Sequence, residues 1–273
     1  YNDLAGACPL KQEIIGDGSQ ASYSIPVTIT QPTITEAVLR ERLFRDTLAR
    51  TATNLNEGNA PRTNNVRLAA KAINGTILNP GDVFSYNTVV GERTQARGYQ
   101  EAHAYSGGKI IDEFGGGVCQ PSSTLYMAVL RADLEVVERH NHSFTVSYTP
   151  LGEDATVDYG NLDFRFANNT AYPIKILAEK TDGQMIMTII GTKTSDKTVA
   201  TRTEGPETYK PETVEKQDSS LAAGETQVET SGITGYSTRT YKVITENGKT
   251  TEVLANKSTY SKRDEIVCVG TGS

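Results

Sequence analysis

The 273 residues carry 27 lysines and arginines against 33 aspartates and glutamates, and 37% of the chain is hydrophobic. That is enough apolar material for two ordinary cores, while a formal charge of −6 argues for solubility and gives no footing to a nucleic-acid partner. No run approaches the roughly eighteen apolar residues of a membrane span, and three cysteines are too few for a disulfide framework.

In chain order, residues 1–33 are mostly irregular, with one alternating patch at 21–29 that reads as a strand. Thr33-Ile-Thr-Glu36 forms a capping box, and Leu39, Leu43, Phe44 and Leu48 follow at helical spacing, which predicts a helix over 36–50. A second helix is expected over 64–74, built on Val66, Leu68, Ala69, Ala70 and Ile73 and stopped by Gly75. Asn79-Pro80-Gly81 then turns the chain into Val83-Phe84-Ser85-Tyr86, whose aromatic rings read as core. His103 stands alone between alanines and is at most a spare base.

The chemistry gathers after residue 114. Gly115-Gly116-Gly117-Val118-Cys119-Gln120 leads into a helix expected over 122–137, with Leu125, Val129 and Ala132 on one stripe and Ser122 or Ser123 placed to cap. Cys119 then sits at the mouth of that helix, where unpaired N–H groups and the dipole favour the reactive thiolate. The glycines permit a close backbone approach that a Cβ would obstruct. Residues 142–148 alternate as a strand, which puts His140 and His142 on one face.

Cysteine, histidine and carboxylate in that order are the parts of an activated thiol nucleophile. Cys119 is the candidate nucleophile, His142 the general base with His140 as alternate, and Asp154, Asp163 or Asp158 the orienting acid. Gln120 or the N–H groups at the helix start would bind an oxyanion, and Ser122, Ser123, Tyr126 and Arg139 are candidate substrate contacts. Two other readings stay open. The glycine and histidine blocks can simply shape a binding groove around a buried thiol, or Cys119, His140 and His142 can supply three ligands to a zinc ion with an open position. Cys8 and Cys268 lie near opposite ends, and their pairing would leave Cys119 as the odd thiol.

Residues 172–178 and 184–190 alternate about Asp182-Gly183 as a hairpin. From about Lys193 threonine, glutamate, lysine and glycine dominate, and Asn247-Gly248 is a strong hairpin turn. The expected fold class is α+β: helices packed on a mostly antiparallel sheet, followed by an extended all-β part sharing little interface with it. The divisions expected are a lead-in at 1–58, a first domain at 59–192 and a β domain at 193–273.

Several blocks also carry a family resemblance. Asn79-Pro-Gly-Asp-Val-Phe-Ser-Tyr-Asn87, Val90-Gly91, Gly98-Tyr99, the run from Gly115 to Tyr126, Glu138-Arg-His140-Asn-His142-Ser, Asp154-Ala-Thr-Val and Asp163-Phe-Arg-Phe-Ala-Asn168 are similar to the VanW-like family of bacterial surface proteins over about 60–180. The blocks at Asp154 and Asp163 favour those two acids over Asp158. Leu221-Ala-Ala-Gly224, Gly232-Ile-Thr-Gly235, Asn247-Gly248 and Ile266-Val-Cys-Val-Gly270 resemble the five-glycine domain over about 195–272, with Cys268 an unusual residue in its last strand. These resemblances imply a cell-wall or membrane-anchored outer-face location and a partner in peptidoglycan or cell-wall glycan. Because the chain opens at Tyr1 without methionine, a processed or trimmed chain without its native membrane anchor is expected. The order of parts resembles transglutaminase-like and NlpC-type thiol peptidases. A thiol-dependent enzyme acting on the peptide or amide part of peptidoglycan is therefore the leading expectation, ahead of a noncatalytic wall-binding module.

Overall fold

The structure, a computed structural model, describes residues 36–37, 43–106 and 109–272. The strand expected at 21–29 and the Cys8–Cys268 pairing lie outside these residues.

The first domain is built on an antiparallel sheet in the order β1 (Asp46–Asn54), β9 (Gln184–Gly191), β8 (Ile174–Thr181), β2 (Ile77–Leu78). The helix expected over 36–50 is helical at Glu36 and Ala37, but its end is corrected: residues 46–50 belong to β1. Ala49, Thr51 and Thr53 alternate into the core there, and period-two burial overrides the weaker helical spacing of the leucines. The β8–β9 hairpin turns at the expected Asp182-Gly183. Helix α1 (Ala60–Ile73) starts under the Asn59 side chain and buries Val66, Ala69, Ala70 and Ile73. It packs on β8, while α3 (Cys119–Arg131) packs on β1 and β9. A small sheet of β3 (Val83–Ser85), β7 (Arg165–Ala167) and β6 (Glu135–Glu138) adds a buried cluster of Phe84, Phe164 and Phe166. Tyr86, also fully buried, opens the one-turn helix α2 (Tyr86–Val90). The hairpin of β4 (Glu101–Ser106) and β5 (Lys109–Phe114) delivers the chain to the glycine turn.

Helix α3 begins earlier and ends earlier than the expected 122–137. Asp133 takes a positive φ of 54°, and the β-branched pair Val136-Val137 continues as strand β6. Residues 142–148 form no strand; only His140 bridges to Thr156. The reason is local, since the His142 N–H is taken by a carboxylate rather than by a ladder partner.

The second domain is all β. Strands β10 (Thr198–Thr203), β14 (Gly235–Glu246), β11 (Glu207–Tyr209) and β15 (Lys249–Tyr260) form one sheet. Strands β12 (Thr213–Ala222), β16 (Glu265–Gly272) and β13 (Thr226–Thr230) form another, with β12 parallel to β16. Asn247 and Gly248 both take positive φ, 50° and 72°, as a tight β14–β15 turn requires.

The expectation of a slight interface between the domains is also corrected. Lys197 and Lys242 both reach Asp133, at 2.7 and 2.5 Å. Thr201 binds Glu153, Asn256 donates to Tyr126 Oη and to Gly152 O, and Tyr260 inserts beside Asp154. Helices do pack on an antiparallel sheet as the expected α+β class requires, but among the described residues the chain is mostly β with few helices.

Candidate active site

The turn at 115–118 sets the thiol. Gly115 and Gly117 hold φ of 89° and 102°, values that side chains rarely adopt, and Tyr86 Oη ties the turn down by donating to Val118 O at 2.7 Å. Cys119 is the first residue of α3, with Val118 as a cap that supplies no side-chain hydrogen bond. Its sulfur is met from the segment after Asp154: the Val157 N–H donates to Sγ at 3.5 Å, and Thr156 Oγ1 lies 3.5 Å away.

His142 stands within hydrogen-bonding reach of that sulfur. Its Nδ1 is 2.6 Å from Asp154 Oδ2, which also accepts the His142 N–H at 2.7 Å. Two bonds to one carboxylate oxygen fix both the ring and its backbone. The other oxygen, Asp154 Oδ1, accepts from Arg139 at 3.0 Å and from Tyr260 at 2.5 Å. A carboxylate 1% exposed with this many donors is held as an anion. Burial pushes the Asp154 carboxyl up, but the His142 bond and charge and the Arg139 charge bring it below the usual carboxylate range.

The electrostatics favour charge separation. Burial opposes ionisation of Cys119, yet the bond and charge of His142, with Thr156 and the Val157 N–H, lower the thiol below its ordinary value. Burial likewise disfavours imidazolium, but Asp154 and Cys119 raise His142 to about 9. Both shifts act in the same direction, toward a thiolate–imidazolium pair and away from the neutral thiol and imidazole. Tyr148 Oη lies 3.4 Å from His142 Nε2 on the thiol side, and burial keeps this phenol protonated far into the alkaline range.

The structure thus brings together Cys119, His142 and Asp154. It separates the rest. His140 turns its half-exposed ring to Glu138 at 3.1 Å, so the alternate base is away from the sulfur. The zinc set Cys119, His140 and His142 is not assembled for the same reason, and among the described residues no three His, Cys, Asp or Glu side chains gather to hold a metal. Asp163 accepts from Ser85 Oγ and the Asn87 N–H, which makes it a cap on α2 rather than an acid at the site. Asp158 is exposed and bonded to Asn161 in a surface turn.

Gln120 is also corrected as an oxyanion donor. Its Nε2 hydrogens go to Thr53 Oγ1 and Asn54 O, and its Oε1 accepts from Arg62. Even its N–H is donated to Gly117 O. Ser122, Ser123 and Tyr126 are buried: Ser123 braces Ala155, and Tyr126 binds Asn256. Arg139, with a side chain only 5% exposed, is a partner of Asp154 and Ser258 rather than a substrate contact on the rim.

Residues missed in the sequence complete the site: Arg62, Tyr148, Thr156 and Tyr260. Tyr148 lay within the expected strand and Thr156 within the Asp154-Ala-Thr-Val block, neither read as a site residue, while Arg62 and Tyr260 lie outside any motif with a chemical signature.

Comparisons with known proteins divide the chain into two parts. Residues 61–190 match the family model described as VanW like protein, and residues 199–272 match that of the G5 domain. The chain carries a VanW-like domain followed by a G5 domain. It is 44% identical over 142 residues to the uncharacterized protein YoaR of Bacillus subtilis (strain 168), covering 52% of this chain and 47% of that protein. It is 29% identical over 134 residues to the vancomycin B-type resistance protein VanW of Enterococcus faecalis (strain ATCC 700802 / V583), covering 47% and 49%. The chain thus spans about half the length of these curated relatives. Its C-terminal part is similar to the solved G5 domain of IgA1 protease, with 18% identity, 29% of this chain, 98% of that one and a TM-score of 0.22. A second likeness is to HP0197-G5, with 21% identity, 28% and 100% coverage and a TM-score of 0.18.

Proposed function

We propose that this chain is a thiol-dependent enzyme of the cell wall, acting outside the cell on the peptide or amide part of peptidoglycan. The observation that carries the reading is the relay from Cys119 through His142 to Asp154, with the carboxylate held by four donors and the thiol lowered. VanW-like and G5 families are associated with the cell surface and wall, and G5 domains bind glycans, which supplies the location and the anchor.

The chemistry follows from the pair. The Cys119 thiolate attacks the amide carbonyl; the C–N bond breaks and the amine leaves with the proton of the His142 imidazolium. The resulting thioester is resolved when His142, now neutral, takes a proton from water or from an acceptor amine that attacks the acyl carbon; the C–S bond breaks and Cys119 leaves as the thiolate beside the re-formed imidazolium. Water makes the enzyme a peptidase or amidase, and an amine makes it a transpeptidase. Asp154 keeps the ring in the tautomer whose Nε2 faces the sulfur.

The test is turnover of purified peptidoglycan and its soluble muropeptides, read by mass spectrometry for released or transferred peptide. Wild type yields product, and Cys119→Ser yields none while still sedimenting with the wall. A wild-type chain that binds wall equally well but makes no product, with a thiol that titrates like free cysteine, sinks the reading in favour of a binding module.

A further inference from the structure

Gly115 and Gly117, the outer glycines of the thiol-bearing turn, are each covered by an arginine. A Cβ on Gly117 would stand 2.7 Å from Arg62 Cγ, and one on Gly115 would stand 2.6 Å from Arg93 Cβ. Two guanidinium side chains therefore cross the turn that presents Cys119, at a closeness only glycine allows.

Neither cation has a carboxylate partner among the described residues. Arg62 Nη2 donates to the neutral amide of Gln120 at 2.7 Å. Arg93 Nη1 donates to Asn87 Oδ1 at 2.8 Å, and its charge lies over the rings of Tyr86 and Tyr159. Arg93 Nε and Nη2 are buried with no hydrogen-bond partner. Burial also draws Arg62 below its ordinary pKa, with the charges of Tyr148 and Cys119 acting against that shift. Both arginines are half-buried, and cations drawn out of water are ordinarily paired, because an unpaired one carries a desolvation cost that nothing offsets. Here the uncompensated charge sits at a reactive thiol, where a substrate group can complete it.

Resting on the thiol-enzyme reading, we propose that Arg62, with Arg93 on the same glycine turn, binds a free carboxylate of the substrate next to Cys119. The substrate class is then a peptide whose carboxylate lies within about one residue of the amide under attack. Guanidinium suits this role because its planar fork matches a carboxylate, and hydrogen bonds between charged groups are stronger than those between neutral ones.

The experiment compares alkylation of Cys119 in the full chain by iodoacetate, which carries a carboxylate, and by iodoacetamide, its neutral analogue. In both, the S–C bond forms and iodide leaves. The ratio of the two rates cancels any change in thiolate fraction, and a cysteine in a short peptide sets the reference ratio. Wild type favours iodoacetate over the reference by roughly tenfold, the size of one charge-assisted hydrogen bond. Arg62→Gln removes most of that preference, and Arg62→Lys restores part of it. Arg93→Gln lowers it as well, with the Arg62–Gln120 bond intact, and so carries the test if Arg62→Gln does not fold. Fast alkylation with a wild-type ratio equal to the reference, or a ratio indifferent to both Gln variants, overturns the carboxylate site and leaves the thiol reading standing. Slow alkylation by iodoacetamide overturns the thiol reading and this inference with it.

Discussion

Tyr260, the last residue of β15 in the G5 domain, donates its hydroxyl to Asp154 Oδ1 at 2.5 Å, and its oxygen accepts the Gly152 N–H at 2.7 Å. The acid of the candidate site is therefore held by a residue from the other domain. Arg139 adds to the same joint, since it donates to Asp154 on one side and to Ser258 Oγ on the other. The G5 domain is part of the architecture of the site as well as an appendage to it.

Tyr260→Phe tests this joint. The ring still fills its place, but the Gly152 N–H loses its acceptor and Asp154 loses a donor, all in a buried setting. Leaving such groups unsatisfied costs about 1–3 kcal/mol. Thermal unfolding should show one transition for both domains in the wild type, with the Tyr260→Phe midpoint lower by several degrees. Two separate transitions, with only the G5 one moved, would contradict the coupling.

The histidines are distinguishable by alkylation. His142→Ala removes the partner that lowers Cys119 and should slow iodoacetamide at pH 7 by on the order of 10²-fold. His140→Ala, whose ring is 42% exposed and bonded to Glu138, should stay within about twofold. Equal effects of the two variants would mean that the ring beside Glu138 also reaches the sulfur.

The same pair fixes a pH dependence. The thiol is lowered and the His142 imidazolium is raised to about 9, so both shifts act toward the ion pair. Reactivity of Cys119 should rise through an apparent pKa below the roughly 8.5 of free cysteine. The His142 ring signals in NMR should not titrate until near 9. A ring that titrates near 6.5 would show that Cys119 and Asp154 fail to hold its proton.

Much of this was legible in the sequence, for identifiable reasons. The Gly-Gly-Gly-Val-Cys run marks a tight turn into a helix, and the structure shows what the glycines accommodate: Arg93 above Gly115 and Arg62 above Gly117. His142 and Asp154 came from spacing and family blocks. What escaped was whatever depends on long-range assembly. Ser123 and Tyr126 looked like rim residues only because what covers them comes from far along the chain: Ala155 over Ser123, and Phe164, Arg139 and Asn256 around Tyr126. Arg139 and Tyr260 are separated by about 120 residues, and nothing local in either segment points to the carboxylate they share.

Asp154→Asn is the sharpest single change. It is close to isosteric, yet it leaves the buried Arg139 without its counter-ion and gives His142 an amide in place of an anion. Removing one partner of a buried pair costs about 3–5 kcal/mol, which for a unit of this size lowers the melting midpoint by roughly 10 °C. The sign of its pH dependence follows from the depressed carboxyl: the stabilisation is present above the unfolded value of roughly 3.9 and is lost as pH falls through the lower folded value. Wild type and variant should therefore differ most near neutrality and converge in strong acid. At pH 7 the variant should also alkylate on the order of 10²-fold more slowly, because an unoriented ring no longer holds the thiol proton. If stability falls as stated while alkylation and muropeptide turnover do not, Asp154 is a structural anchor for the two domains and the relay ends at His142.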